Sequence, residues 1–372
     1  MIRLQQDMIA RDLSKKMVFL TGPRQVGKTS VAKSIAAFTE GSVYLNYDNF
    51  SHRDIIHQAA WLPDTRLLIL DELHKMPNWK NFLKGIYDTK PAVQQILVTG
   101  SARLEAFRQH GDSLAGRFFR HRLNPFSLAE IPDSGFNELN RLLARGGFPE
   151  PYLAESDDDA SRWRMQYIDG LIRTDILDFE KVHDFRAIQL TLELLRRRVG
   201  SPVSWSSLAR DVGCAPNTVK RYVEIFEALF IVFRVLPHHH NIARSLSKEP
   251  KVYFYDNGMV IGDEGSRLEN LVAVSLIKHL NYIEDTKGLP TALRTMRTKE
   301  GKEVDFVTVI DEVPQQLIEV KLSDPSVSPS LHYFHHKYGM PAVQIVKNLA
   351  TERMSGSIQV LKVVDYLKKL QI

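Results

Sequence analysis

Short apolar runs separated by longer mixed segments characterise the first hundred residues. Four segments have the character of strands: Met17–Leu20, Ser42–Tyr47, Leu67–Leu70 and Ile96–Val98. Leu67–Leu70 is uninterrupted, which is typical of a strand buried on both faces, whereas Ser42–Tyr47 alternates. Residues 1–16 and Thr29–Phe38 are predicted helices. Strands that alternate with helices predict a parallel α/β sheet.

The pattern changes after Phe119. Gly146, Gly147 and Pro149 interrupt the chain near a predicted domain boundary. Residues 158–230 are predicted to be mostly helical, and short strands return from Lys251 together with a helix at Arg267–Leu280. The predicted architecture has three parts: an α/β domain at 1–150, a helical and winged-helix-like region at 151–250, and a small α/β domain at 251–372.

Composition narrows the class of protein. The chain has 372 residues, 44% of them hydrophobic and 25% charged, which suits two or three globular domains. A net charge of +5 permits contact with nucleic acid without requiring it. The single cysteine, Cys214, excludes an internal disulfide and fits a reducing cytoplasm. The N-terminus lacks the apolar run of a signal peptide, and no run of about 18 apolar residues predicts a membrane span.

A glycine-containing turn follows the first predicted strand. Residues 22–29 fit the spacing G-x-x-x-x-G-K-[ST], in which backbone N–H groups wrap a phosphate and the next helix points its positive end at it. Lys28 is expected to reach the β- and γ-phosphates of ATP, and Thr29 to place its hydroxyl on Mg²⁺. The predicted nucleotide contacts are Gly22, Pro23, Arg24, Gln25, Val26, Gly27, Lys28, Thr29 and Ser30.

Two acids, Asp71 and Glu72, stand at the carboxyl end of the strand Leu67–Leu70. Ligands of α/β sheets bind at this end of the strands, so Asp71 is predicted to help hold Mg²⁺. Glu72 is placed to polarise an attacking water as a general base. With the loop at 22–29, these acids predict Mg²⁺-dependent ATP hydrolysis.

Three more residues of the first region are candidates for catalysis. Thr99 and Ser101 follow the strand at Ile96–Val98, and either could sense the γ-phosphate; Ser101 is equally suited to cap the next helix. Arg117 is a candidate finger that neutralises charge on a neighbouring subunit's nucleotide. An ordinary surface arginine is the alternative for Arg117.

Several of these motifs together resemble an AAA+ ATPase family of bacteria and archaea whose roles are largely unassigned. The motifs are the loop at 22–29, Asp71-Glu72, Thr99-Gly100-Ser101, the Leu-Ala-Gly-Arg at 114–117, Asn124-Pro125-Phe126-Ser127 and Gly146-Gly147-Phe148-Pro149-Glu150. The resemblance covers essentially the whole chain. It implies an ATPase domain followed by a domain of uncharacterised function with a nuclease-like end.

The middle region contains two helices at helix-turn-helix spacing, Ser204–Arg210 and Ala215–Leu229. Ile231–Leu236 and Lys251–Tyr255 are candidate strands of a wing. In a DNA-binding module the start of the second helix meets bases and phosphates, which makes Asn217, Thr218, Lys220 and Arg221 the predicted contacts. A winged helix used only for packing or subunit contact is the alternative.

A basic loop runs from His238 to Lys248 between the two candidate wing strands. It could touch a nucleic-acid backbone. Its adjacent histidines lack a fixed ligand geometry, so no metal role is predicted for them.

The last region places acids and a lysine on neighbouring strands. Glu319 and Lys321 point to the same face because a strand has a period of two, and Asp305 lies on the strand before. Two carboxylates can hold Mg²⁺, and a lysine can activate water. The pattern is similar to the PD-(D/E)xK nuclease signature, which implies Asp305 and Glu319 as metal ligands, Lys321 as the catalytic lysine and Glu269 as an auxiliary acid. Val304 stands where that signature often has proline. Solvated charges on a strand pair, and a nuclease-like fold without activity, are the alternatives.

Two functional interpretations remain open from the sequence. In the first, ATP hydrolysis is coupled to binding or remodelling of nucleic acid, with cleavage at the C-terminal site as its strongest form. In the second, the chain is a nucleotide-controlled switch or scaffold that binds a protein partner or further copies of itself, and the nuclease-like domain is inactive. The presence of both Lys28 and Glu72 favours hydrolysis over passive binding of ATP.

Overall fold

The chain divides into two compact units, Met1–Asn124 and Pro125–Ile372. A computed structural model describes residues 3–100, 114–176, 184–238 and 249–372. Of the described helices, none combines the length and the apolar character that crossing a membrane requires.

The N-terminal unit is built around a five-stranded parallel sheet of order β2-β3-β4-β1-β5. Its strands are β1 (Met17–Thr21), β2 (Ser42–Asn46), β3 (Leu67–Asp71), β4 (Gln95–Thr99) and β5 (Phe118–Arg122). Its described helices are α1 (Gln6–Leu13), α2 (Lys28–Ala37), α3 (Phe50–Gln58) and α4 (Trp79–Thr89), with a short 3₁₀ turn at Leu73–Lys75.

Strand order explains the hydrophobic pattern of this unit. Every residue of β1 and β3 is buried, because each of these strands has a neighbour on both sides and is covered on both faces. β2 lies at the sheet edge, and only Leu45 of its five residues is fully buried. The predicted parallel sheet is confirmed, and the predicted strand bounds differ from the observed ones by about one residue at most ends.

The C-terminal unit begins with helices. They are α5 (Phe136–Arg145), α6 (Pro149–Leu153), α7 (Asp157–Gly170), α8 (Phe185–Arg196), α9 (Trp205–Val212) and α10 (Pro216–Ala228), followed later by α11 (Glu264–Lys287), α12 (Pro329–Tyr338) and α13 (Val363–Lys368). A π-helical turn at Leu171–Ile176 continues α7, and 3₁₀ turns lie at Leu128–Glu130 and Asn257–Met259. The predicted helical region and the α/β domain after it are both present.

An eight-stranded mixed sheet of order β12-β13-β11-β10-β9-β8-β6-β7 forms the rest of the unit. Its strands are β6 (Val232–Pro237), β7 (Lys251–Phe254), β8 (Thr291–Arg297), β9 (Glu303–Ile310), β10 (Val313–Lys321), β11 (Ala342–Val346), β12 (Arg353–Ser355) and β13 (Ile358–Lys362). The two candidate wing strands, β6 and β7, pair antiparallel, and β6 also joins β8. The boundary predicted at residue 250 therefore falls between two paired strands of one sheet.

Two of the motifs that carried the family resemblance meet in this unit. Phe126 N donates to Gly147 O at 2.6 Å, and a Cβ on Gly147 would lie 2.5 Å from Phe126 O. Gly146 has a φ of +77°, and a Cβ there would lie 1.8 Å from Asp256 Oδ1. These glycines are required because the backbone passes too close to its neighbours for any side chain. Both motifs therefore serve packing in this structure.

Candidate nucleotide site and carboxylate cluster

The loop at 22–29 leaves the central strand β1 and enters α2 at Lys28. Gly22 has a φ of +142°, and a Cβ on it would lie 2.2 Å from Leu123 O, just beyond β5. Gly27, with a φ of +99°, is the left-handed residue that precedes α2. Both positions need glycine, because one has no room for a side chain and both have positive φ. The loop is thus shaped by its glycines to lie close against the end of the sheet.

The Lys28 side chain is folded into this loop. Its ammonium donates to Gly22 O at 3.0 Å and to Pro23 O at 2.6 Å, and the residue is only 7% exposed. The loop carbonyl groups thus hold the ammonium at the inner face of the turn that would receive a phosphate. An entering phosphate would offer it stronger, charged acceptors at the same place.

Asp71 is the centre of a hydrogen-bond network at the carboxyl edge of the sheet. Its Oδ2 accepts from Thr29 Oγ1 at 2.9 Å and from the Tyr44 hydroxyl at 2.5 Å. Its Oδ1 accepts from the Thr99 hydroxyl. The two residues predicted to hold Mg²⁺, Thr29 and Asp71, are therefore in direct contact.

A carboxylate and a hydroxyl beside a phosphate loop fit Mg²⁺. This ion usually keeps several waters and takes only one or two protein carboxylates, with substrate phosphates supplying other ligands. Thr29 and Asp71 would hold it. Among the described residues no group of three or more His, Cys, Asp and Glu is arranged to hold a metal, which a two-residue Mg²⁺ site does not require.

Glu72 follows Asp71 in a left-handed conformation with a φ of +57°. Its backbone N–H donates to Thr99 O at 3.0 Å, which ties it to β4. Its carboxylate lies 3.5 Å from the Lys75 ammonium and 3.7 Å from His74 Nε2. Burial raises the pKa of the Glu72 carboxyl, while the Lys75 charge opposes the rise. A carboxylate of increased basicity suits the predicted role of general base.

The remaining candidates of the N-terminal unit have different surroundings. The buried Thr99 hydroxyl is committed to Asp71. Ser101 lies outside the described residues. Arg117 precedes β5 at the amino edge of the sheet, opposite to its own phosphate loop, and its guanidinium pairs with Asp88 at 2.8 and 3.1 Å. A finger role for Arg117 therefore remains a prediction that requires a neighbouring subunit.

The predicted DNA contacts lie on the first turns of α10. Asn217, Lys220 and Arg221 are exposed and Thr218 is half-buried, whereas Val219 faces the core. Arg221 Nη1 lies 3.5 Å from Glu224. The exposed face is thus polar, and its role in DNA binding remains a prediction. Of the basic loop that follows β6, only its first residue, His238, is described; His239 to Lys248 lie outside the described residues.

The predicted nuclease residues gather in one place. Asp305 on β9 lies directly opposite Glu319 in the antiparallel ladder, because Phe306 pairs with Ile318. Asp305 Oδ2 accepts from Val320 N at 2.9 Å, and Glu319 Oε1 lies 2.8 Å from the Lys321 ammonium. Glu319 Oε2 is buried without a hydrogen-bond partner among the described residues.

Three residues that were not candidates from the sequence complete this cluster, namely Lys251, Tyr253 and Glu303. Lys251 reaches from β7 and places its ammonium 3.1 Å from Glu269 Oε1 and 2.6 Å from Glu303 Oε1. It also lies 3.7 Å from Asp305 Oδ1. The Tyr253 hydroxyl donates to Glu269 Oε1 at 2.6 Å. We call this group the carboxylate cluster: Lys251, Tyr253, Glu269, Glu303, Asp305, Glu319 and Lys321.

Burial and neighbouring negative charge raise the pKa values of the acids in the cluster. Burial, followed by the Asp305 carboxylate, raises the pKa of Glu269 and that of Glu319 to about 7. Burial likewise raises the pKa of Asp305. For Lys251 burial favours the neutral amine, but the surrounding carboxylates, Glu269 foremost, raise its pKa well above the ordinary value. Lys251 is therefore a cation held inside an acidic pocket.

Three family models match successive parts of the chain. Residues 14–132 match a family described as an AAA domain. The N-terminal unit has a P-loop NTPase-like fold, and its residues 14–132 are similar to AAA domains. Its similarity to AAA-type ATPases supports ATP binding and hydrolysis. Residues 136–262 and 264–366 match two families described as domains of unknown function, DUF8612 and DUF4143.

Two relatives that match most of this chain are described as uncharacterised proteins. A protein of Mycobacterium tuberculosis is 26% identical over 325 residues, covering 85% of this chain and 72% of its own length. One of Methanocaldococcus jannaschii is 20% identical over 318 residues, covering 76% of this chain and 71% of its own length. Among solved structures, a Walker-type ATPase of Pyrococcus abyssi is 13% identical, with a TM-score of 0.47, covering 69% of this chain and 93% of that one.

Sequence reasoning missed residues whose signal is purely spatial. Tyr44 reaches Asp71 because β2 lies beside β3, and its strand pattern shows only alternation. Arg3 is 4% exposed and donates to Val26 O at 2.8 Å and to Asn124 O at 2.9 Å. It thereby links the phosphate loop to the backbone at Asn124. A buried arginine near the N-terminus gives no motif from which this role could be read.

Proposed function

We propose that the chain hydrolyses ATP with Mg²⁺ at the loop Gly22–Thr29. The observation that carries this proposal is the contact between Thr29 and Asp71 at 2.9 Å. It lies directly beside the loop whose carbonyl groups hold the Lys28 ammonium. A hydroxyl and a carboxylate meet there at the carboxyl edge of a parallel sheet, where such folds bind nucleotides.

Each residue has a distinct task in this proposal. The loop N–H groups and the N-terminus of α2 bind the phosphates, and Lys28 exchanges its loop carbonyl partners for phosphate oxygens. Tyr44 and Thr99 orient the Asp71 carboxylate from two sides. Burial, followed by the bond to Asp71, raises the pKa of Tyr44 to about 12, so it stays a donor. When bound, Mg²⁺ supplies neutralisation of the charge that develops on the phosphates.

Glu72 is the proposed general base. Its carboxylate accepts a proton from the attacking water while Lys75 and His74 limit its movement. A Glu72→Gln variant should bind ATP normally and lose hydrolysis by about 10²–10⁴-fold, the usual contribution of a positioned base. Lys28→Met should instead weaken binding itself. Fluorescent-nucleotide titration and phosphate release separate the two effects, and normal turnover by Glu72→Gln would refute the assignment.

We further propose that hydrolysis is coupled to duplex DNA bound by α10. The supporting observation is the exposed polar start of that helix, with Asn217, Lys220 and Arg221, beside the paired strands β6 and β7. The same phosphate-release assay, repeated with duplex DNA, should show stimulation that Lys220→Ala reduces. Binding should weaken as salt rises, because phosphate contacts release counterions. Salt-independent binding or no stimulation would favour a nucleotide-controlled switch that acts on a protein partner.

A further inference from the structure

We propose that the Lys251 ammonium is the resident cation of the carboxylate cluster, and that the cluster holds no divalent metal in the native chain. The PD-(D/E)xK resemblance implies a metal at Asp305 and Glu319. The structure instead places a protein cation among the carboxylates, at 2.6 Å from Glu303, 3.1 Å from Glu269 and 3.7 Å from Asp305.

The acids around Lys251 come from separate elements of the unit. Glu303 and Asp305 lie on β9 and Glu269 on α11, while Lys251 itself stands at the start of the edge strand β7. Gly200 packs over the cluster, since a Cβ on it would lie 2.7 Å from Glu269 Oε2. The lysine is therefore enclosed by groups from several elements of the fold and is not a surface charge that merely lies near the acids.

Burial makes the pairing obligatory for the lysine. Lys251 is 2% exposed, so its ammonium has exchanged water for carboxylate oxygens. A lysine carries three donors, and three acids surround it. An ammonium taken out of water without partners is strongly unfavourable, so the lysine depends on these carboxylates.

A divalent ion at the same oxygens would be repelled by this ammonium. It would bring two further positive charges next to a buried one, in a site where screening by water is weak. Removal of the ammonium would reverse the situation. Glu269, Glu303 and Asp305 would lose their shared cation, while Glu319 offers opposite Asp305 a buried Oε2 that has no hydrogen-bond partner among the described residues. That set of oxygens suits a hard divalent cation.

The test uses Mn²⁺ as the probe and the full chain without nucleotide, measured by electron paramagnetic resonance and calorimetry. All proteins carry Asp71→Asn, so that the nucleotide site does not contribute. Lys251→Met should bind Mn²⁺ at least tenfold more tightly than the chain with Lys251. Adding Asp305→Asn to Lys251→Met should abolish the gain. Mn²⁺ should also raise the melting temperature of Lys251→Met only.

The matched control is Lys347→Ala. Lys347 is 9% exposed and pairs with one carboxylate, Glu264, on the same helix as Glu269. Because Lys347 has one acidic partner in this pair, its removal should create no Mn²⁺ site. Lys251→Gln serves as a second variant if Lys251→Met does not fold.

Two results would overturn the proposal. One is Mn²⁺ binding to the chain with Lys251 that Asp305→Asn abolishes, which would make the cluster a native metal centre. That arm needs no lysine variant and so decides even if both variants misfold. The other is a folded Lys251 variant that binds no Mn²⁺. Neither result bears on ATP hydrolysis, which is measured at the other unit.

Discussion

Replacing Gly22 by alanine tests the tight geometry of the nucleotide loop. The new Cβ would lie 2.2 Å from Leu123 O, a distance that real Cβ atoms do not adopt, at a residue whose φ is +142°. Either the loop or the backbone after β5 must move. The Leu123 N–H that bonds Thr21 O at 2.8 Å belongs to that same backbone.

Two contributions set the size of the effect. A residue other than glycine held at positive φ is strained by about 1–3 kcal/mol. Overpacking against an unyielding neighbour adds about 1–3 kcal/mol. We therefore expect Gly22→Ala to destabilise the N-terminal unit by about 2–6 kcal/mol. ATP affinity should also fall, because displaced loop N–H groups bind the phosphates less well. Each 1.4 kcal/mol of binding free energy lost in this way lowers the affinity about tenfold.

Gly85→Ala is the matched control in the same unit. Gly85 lies inside α4, is exposed, and a Cβ on it meets nothing within 4 Å. The same chemical change should there stabilise the unit by about 0.5–1 kcal/mol, since alanine loses less backbone entropy in a helix.

Hydrogen–deuterium exchange of peptides from β1 and β2 measures the stability of this unit separately from the rest of the chain. Fluorescent-nucleotide titration measures ATP affinity. Opposite signs for the two alanines are the expected result. Unchanged exchange protection and unchanged ATP affinity in Gly22→Ala would show that the loop does not press against the Leu123 backbone as described.

Two further predictions concern the C-terminal unit. Arg164 Nε donates to the buried Asp256 at 2.9 Å, so Arg164→Met should destabilise the unit by about 3–5 kcal/mol. Adding Asp256→Asn should recover part of this loss. Denaturant unfolding that shows no recovery would contradict the pairing. Burial lowers the pKa of His279, whose Nδ1 lies 2.8 Å from Gln371 O. The unfolded chain then binds a proton more readily below about pH 6.5, so stability is lost as the pH falls. His279→Gln should lose less stability than the native chain between pH 7.5 and 5.5 in paired unfolding curves, and equal losses would argue against the shift.

The local part of the candidate site was predictable from the sequence. The spacing from Gly22 to Thr29 needs only a strand, a turn and a helix in succession, and the chain supplies all three in order. The acids at the end of β3 were predictable for the same reason, because an apolar strand positions whatever follows it. The bounds of these elements follow from short-range hydrophobic periodicity.

The partners of these residues were not predictable in the same way. Tyr44 contacts Asp71 only because β2 is the neighbour of β3 in a sheet whose order differs from chain order. The Gly146-Gly147 motif is explained by Phe126 and Asp256, which lie about twenty residues before it and more than a hundred after it. The predicted domain bounds at 150 and 250 stay predictions, while the compact units divide after Asn124.

The carboxylate cluster shows most clearly what the sequence determines and what the tertiary structure determines. Alternation along β9 and β10 was enough to place Asp305, Glu319 and Lys321 on one face, because a strand repeats every two residues. The lysine that sits among the acids, Lys251, is more than fifty residues from Asp305 and arrives on an edge strand of the same sheet. Sequence thus determined which groups each segment presents, since that depends on local periodicity. Only the tertiary structure decided which charges share a pocket, because that depends on how distant strands are ordered.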